Sequence, residues 1–446
     1  MGEGSWIAAC AARILWDRRL VEMMVKCVPF ACATLLLFCS CVDVAQQAGA
    51  AVQSSEAVRK ALTLEQQGKY SDAESAWQVV VKAEPRNGQA FAHLGLLEAH
   101  QEHYPEAIGF YQKAQALSLE ARREIPELNL NLGLAYFKAG EFRDADKVFE
   151  AELGKHPKGP DVARLTILTG MSHYGAHEYG AAIPYLKEAA AADQRNLPLR
   201  LSLAHCYLWT KQFDATMSVY KEILNIDPDS AEADMIAGEA LDEKGDNAGA
   251  VQQFRAAAVA NPKEPNVHFA LGYLYWTQKR YEEAIPEFKA ELANDPENSQ
   301  AMTYLGDTYV KQNLFEEARG YLEKALKYKT SVALTHLDLG IVYMEIGDQA
   351  GAVRELGKTI ALQPENVNAH FRLASLYRSL GKKDEAKAEY AKASALNKQT
   401  DERQHKRIED ANARPAANGQ GAQPGTVAGA LEGKEKPEKL DKSDKP

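Results

Sequence analysis

One feature constrains this chain more than any other: a motif that returns every 34 positions. It consists of an apolar residue, a small residue and usually a tyrosine. The small residue is Ala204, Gly238, Gly272, Gly306, Gly340 and Ala374 in six consecutive occurrences. A second small residue keeps the same step at Ala250, Ala284, Ala318, Ala352 and Ala386. A large apolar residue follows four positions later at Phe254, Phe288, Leu322, Leu356 and Tyr390. Within an occurrence the apolar positions are spaced by three and four, which stripes one face of a helix. Two stripes with a short turn between them, often holding glycine (Gly68, Gly140, Gly245, Gly347, Gly381), give an antiparallel helix pair. Gly95, Gly133 and Gly272 let the paired helices approach closely. Pro228, Pro262, Pro296 and Pro364 close most occurrences, since proline cannot continue a helix. One pair cannot bury its own apolar face, so pairs must stack on their neighbours.

These columns resemble the tetratricopeptide repeat family, whose W-x2-L-G-x2-Y, A-x3-F and P pattern is visible in LGYLY, EEAIPEF and NDP of residues 271–296. The resemblance implies an all-α fold, a right-handed superhelical solenoid of antiparallel helix pairs. Ten units are expected over residues 54–400, starting near Ser54, Gly88, Pro126, Ala163, Leu197, Ala231, Pro265, Ser299, Ala333 and Val367. The surplus length matches insertions at residues 122–125 and 160–162. The first unit departs from the pattern at Lys60, and the fourth places Thr166 and Thr169 at core positions.

The flanks differ in character. Residues 27–42 carry no charge, follow Lys26 and Arg19, and precede Asp43. That is short for a membrane-spanning helix and fits the apolar part of a secretory signal. Ala48-Gly49-Ala50 supplies a small-x-small cleavage pattern, so residues 1–50 are read as an N-terminal extension and signal peptide. Translation from Met23 or Met24 would give a signal of more ordinary length. An uncleaved anchor and lipidation at Cys41 are the rival readings, and membrane contact is expected only under those two. All three place the repeat outside the cytoplasm, periplasmic or secreted. At the other end, residues 401–414 read as a polar capping helix. Residues 415–446, rich in Pro, Ala, Gly and Gln and then in mixed charge, read as a disordered tail.

Composition excludes several classes. A net charge of −10 and a pI near 5.7 argue against a nucleic-acid binder. A mean hydropathy of −0.39 excludes a polytopic membrane protein. Five of the six cysteines precede residue 42, leaving Cys206, beside His205, as a small core residue rather than a nucleophile. His173 and His177 have an i,i+4 spacing but lack the glutamate of a zincin motif. His268, His336 and His370 share one repeat column, which argues for packing. No enzyme, metal or cofactor is expected.

A scaffold holding a protein or peptide partner in the cell envelope is the expected role, for instance in assembling a secretion or export complex. The alternative is a self-associating solenoid whose groove is filled by its own tail or a second copy. In the resembled family, unit positions 2, 5, 9 and 12 line a concave groove. Here they give Leu130, Leu134 and Phe137, then Ile167, Met171 and Tyr174, then Leu201 and Leu208. Phe269, Tyr273 and Trp276 follow, and later Leu337, Ile341 and Met344. Met235, Glu239 and Asp242 interrupt this run, as do Gln300, Thr303 and Asp307. An apolar or aromatic partner is therefore expected, oriented by Glu239, Asp242 and Asp307 against its basic groups. A rival reading buries some of these columns against adjacent units. The lysine and asparagine pairs of the chaperone-binding members are missing at positions 5 and 9, so no affinity for EEVD-like tails is expected.

Overall fold

The computed structural model describes residues 44–155, 157–328 and 332–413. Among the described residues there are twenty α-helices and no strand. They are α1 (Val44–Gln66), α2 (Tyr70–Ala83), α3 (Gly88–His100), α4 (Tyr104–Ala121), α5 (Leu128–Ala139), α6 (Phe142–Lys155), α7 (Val162–Gly175), α8 (Tyr179–Ala192), α9 (Leu197–Trp209) and α10 (Phe213–Leu224). Then come α11 (Ala231–Glu243), α12 (Asn247–Ala260), α13 (Val267–Thr277), α14 (Tyr281–Asn294), α15 (Ser299–Lys311), α16 (Phe315–Lys327), α17 (Ala333–Glu345), α18 (Gln349–Leu362), α19 (Val367–Ser379) and α20 (Lys383–Ala413). The described residues form two compact units that divide between Ile236 and Ala237, within α11.

In the first unit, α1 packs on α2, α3 on α4, α5 on α6, α7 on α8 and α9 on α10. In the second, α13 pairs with α14, α15 with α16, α17 with α18 and α19 with α20. Within each unit the second helix of one pair also packs on the first helix of the next. First helices touch one another too, α7 on α9 in the first unit, α15 on α17 and α17 on α19 in the second.

Local chemistry sets these boundaries. Asn87, Asn196, Asn298 and Asn366 each accept a hydrogen bond from the backbone N–H three residues on, capping α3, α9, α15 and α19. Asp246 and Asp348 cap α12 and α18 in the same way. A single residue with φ between 58° and 85° closes each turn inside a pair: Gly68, Glu102, Gly140, His177, Lys211, Gly245, Lys279, Asn313, Gly347 and Gly381.

The small-residue column is where paired helices meet. A Cβ at Gly133 would lie 2.5 Å from the Phe149 ring, and one at Gly306 would lie 2.5 Å from Leu322. Phe149, Leu322, Phe288 and Leu356 are fully buried opposite their glycines. Gly170 keeps this register in the fourth repeat, with Leu186 against it. The weakness expected there is nevertheless visible, for Thr166 and Thr169 are buried on α7.

Two boundaries differ from expectation. Helix α1 starts at Val44, upstream of Ser54, and contains Ala48-Gly49-Ala50. No separate cap follows the last pair: residues 401–413 continue α20 without a break, because nothing in this polar stretch interrupts the helix. The apolar segment 27–42, expected to act in export, and the tail 415–446 lie outside the described residues. Among the described residues no helix is long and apolar enough to cross a membrane.

Candidate partner-binding groove

The second unit carries the densest aromatic group. Phe269, Tyr273 and Trp276 follow one another along α13, with ring centroids 6.2 Å apart for the first two and 5.8 Å for the last two. Tyr304 of α15 stands against all three, 5.9 Å from Phe269, 5.2 Å from Tyr273 and 4.9 Å from Trp276. Edge-on contacts of this kind suit the ring quadrupoles. The three α13 rings are half-buried, so each keeps an open side. Burial, with Tyr273 and Asp307 nearby, pushes the Tyr304 phenol up to about 12. Burial, then the charge of Asp242, raises Tyr273. Asp242 is itself raised, mainly by burial and then by Glu243. Glu239 and Asp242 are half-buried on α11.

Asp307 departs from the expected role. It is 1% exposed, and Trp276 Nε1–H donates to its Oδ2. This acid fastens α13 to α15 and cannot face a partner. Thr303, one turn earlier, is likewise buried and hydrogen-bonds Thr335 at 2.9 Å. Leu337 and Ile341 are buried because α17 is flanked by α15 and α19, while Met344 stays half-buried. Phe371, in the same column of α19, is 38% exposed.

In the first unit, Leu130, Leu134 and Phe137 are half-buried beside a small core of Ala145, Phe149, Leu165 and Leu168. Ile167 and Met171 are half-buried. Tyr174, Leu201, Leu208 and Met235 are buried. Tyr174 meets Tyr179 edge-on, and Tyr179 stacks on Trp209 at 5.9 Å. Tyr304, Tyr179 and Trp209 escaped the sequence reading because they fall outside columns 2, 5, 9 and 12.

The histidine column packs as expected, and each ring also bonds a glutamate of its pair's second helix. His268 Nδ1 lies 2.7 Å from Glu287, His336 Nδ1 lies 2.7 Å from Glu355, and His370 Nδ1 bonds Glu389. Burial opposes the charged form of Glu355 and Glu389. Hydrogen bonds from Arg354, His336 and Lys358 nevertheless hold Glu355 below its ordinary value, and those from Lys392 and His370 do so for Glu389. Cys206 is buried, which pushes its thiol up to about 12 and leaves it unreactive at neutral pH. His177 turns to the Tyr179 hydroxyl at 3.0 Å, whereas His173 meets Asp146, Glu150 and Glu178.

Two tetratricopeptide repeat models match the chain, one over residues 173–240 and one over residues 58–120, 269–331 and 337–399. No curated protein matches. Among solved structures, the chain is similar to Pseudomonas aeruginosa pilF at 20% identity, covering 48% of this chain and 97% of that one with a TM-score of 0.43. It is also similar to a tetratricopeptide repeat protein from Parabacteroides merdae (16% identity, 56% and 97% covered, TM-score 0.42). A third is YrrB, described as a TPR protein with an unusual peptide-binding site (17% identity, 41% and 95% covered, TM-score 0.37). Likeness at this level carries no argument about function. The repeat matches together span more than half of the chain, on the helix pairs described above, and the chain belongs to the tetratricopeptide repeat family.

Proposed function

We propose that this chain is a non-enzymatic scaffold of ten consecutive repeats, holding a protein or peptide partner on its first helices. The family fold is typical of protein–protein interaction. The observation that carries the reading is the row of half-buried rings at Phe269, Tyr273 and Trp276, with Asp242 close enough to Tyr273 to perturb its phenol. Aromatic side chains dominate binding hot spots. A partner with apolar or aromatic side chains beside basic groups suits this surface, with Glu239 and Asp242 as its anionic contacts. The cell envelope is the proposed compartment, on the strength of the apolar segment at residues 27–42. N-terminal sequencing of the protein recovered from envelope and medium tests that part, and an intact cytoplasmic N-terminus refutes it.

The groove is tested by capturing the partner with full-length protein and titrating it against variants. Trp276→Ala is expected to weaken binding by about 2 kcal/mol, roughly thirtyfold, as a central aromatic anchor does. Because Trp276 also ties α13 to Asp307, Trp276→Phe serves as companion, keeping a ring against Tyr304 without the N–H. Unchanged affinity in Trp276→Ala, with unchanged helical circular dichroism, removes this surface from the binding site.

A further inference from the structure

His173 sits at the end of α7 between carboxylates from two repeats. Its Nδ1 lies 3.1 Å from Glu178 Oε2 and 3.4 Å from Asp146 Oδ2, while its Nε2 lies 3.1 Å from Glu150 Oε1. Asp146 and Glu150 are one turn apart on α6, and the left-handed residue His177 folds Glu178 back towards the ring. The Glu178 N–H closes that turn by donating to the His173 carbonyl at 2.8 Å. Asp146 and His173 are both buried.

The donor set does not balance by itself. Glu150 accepts from the Tyr185 hydroxyl at 3.0 Å and fixes the Nε2 side of the ring as the donor. A neutral imidazole so held directs its Nδ1 lone pair at two carboxylate oxygens. Three acceptors then converge, an arrangement that calls for a proton or a cation among them. The basic side chain on the cluster is Arg143, which reaches the other oxygen of Glu178 at 3.3 Å.

We propose that Asp146 Oδ2, His173 Nδ1 and Glu178 Oε2 bind a divalent first-row transition metal ion, with Zn2+ as the type, clasping the third repeat to the fourth. The three ligand atoms already lie within 4.8 Å of one another. Ligands at about 2.0–2.1 Å in a tetrahedron stand about 3.3 Å apart. The two distances from Nδ1 meet that value, and the half-buried Glu178 closes the third edge by rotation. Water from its open side supplies the fourth ligand, as at three-ligand zinc sites. Glu150 on the far nitrogen is the outer carboxylate that orients a metal-bound histidine and strengthens it as a ligand. The sequence pairs His173 with His177, whereas in the structure His173 meets carboxylates from α6 and from the turn.

The test uses the full, tag-free chain, stripped with EDTA and titrated with ZnCl2, with bound metal, affinity and melting temperature measured. Wild type is expected to hold one Zn2+ per chain more than His173→Ala, and to melt several degrees higher with zinc than without. Glu178→Gln, at a half-exposed side chain that leaves the fold intact, should lose the same equivalent. Glu150→Gln should keep the equivalent but weaken it about 10–100-fold. Calcium, which prefers six to eight oxygen ligands, should give no shift. Equal zinc content in wild type, His173→Ala and Glu178→Gln overturns the proposal. So does a melting temperature that responds to pH through His173 but not to zinc, which would make the cluster a proton site.

Discussion

Asp338 is 2% exposed on α17, faces Asp307 of α15, and has no hydrogen-bond partner at Oδ2. Burial first, and the charge of Asp307 second, raise its carboxyl well above the ordinary range; Lys311 and Arg372 act in the opposite sense. The raised group favours the protonated folded state. Its stabilisation is fully present below the unfolded value of about 3.9 and is lost as pH rises towards the folded value. Asp338→Asn supplies a permanent N–H to face Asp307 and removes that loss. The variant should be more stable than wild type at pH 7–8, by about 1–3 kcal/mol, with the gap closing towards pH 4. Urea melts across this range check it, and a gap independent of pH excludes the titration of Asp338 as its source. The case also marks where the sequence stops being legible. Its period assigns Asp307 to a groove column and Ile341 to the same column one repeat later. It does not say that α15, α17 and α19 close over those positions, because that depends on how neighbouring pairs approach. Exposure within a column is a property of the packed neighbours, so the rings on α13 and the buried acid on α15 looked alike in the sequence.

At the level of helix pairs the sequence was far more readable, since each pair repeats one contact and one turn. Gly272, Gly306 and Gly340 marked the close approach because a small residue opposite a large one is visible as a column. The turn was only half visible. Five turns use glycine, but Glu102, His177, Lys211, Lys279 and Asn313 adopt the same left-handed conformation. Such a residue costs about 1–2 kcal/mol, which packing on both sides can absorb, so composition does not reveal it. A Cβ at Gly245 meets nothing within 4 Å, and five sister turns already carry a side chain there. Gly245→Ala therefore incurs only the backbone strain. At Gly306 the first added carbon already sits 2.5 Å from Leu322 Cδ2, and a leucine brings three more into a filled contact. Overpacking costs about 1–3 kcal/mol, and here it must also separate α15 from α16. Gly306→Leu should lower the melting temperature more than Gly245→Ala. Equal shifts in a thermal melt would break the link between this column and the helix contact.

Across the whole molecule, a net charge of −10 and mostly apolar residues at unit positions 5 and 9 lead to an expectation about which peptides bind. Tetratricopeptide domains that take acidic chaperone tails resemble this chain in fold but present lysine and asparagine at those positions. Here the corresponding pairs are Ala92 with Leu96, Leu130 with Leu134, Phe269 with Tyr273, and Leu337 with Ile341. Asn131 and Arg372 match secondary positions singly, and Arg372 bonds Asn368 within its own helix. A carboxylate-rich tail would meet rings and methyl groups, with Glu239 and Asp242 adding repulsion. An EEVD-ending peptide should give no change in fluorescence anisotropy up to about 100 µM, well above the micromolar range in which a specific tail contact would appear. A peptide of similar length with aromatic and basic residues should bind, and more weakly as salt rises, because half-exposed acids are screened at a Debye length of about 8–10 Å. Micromolar binding of the acidic peptide, or affinity for the basic one that ignores ionic strength, would mean that the α11 acids and the α13 rings do not act as one surface.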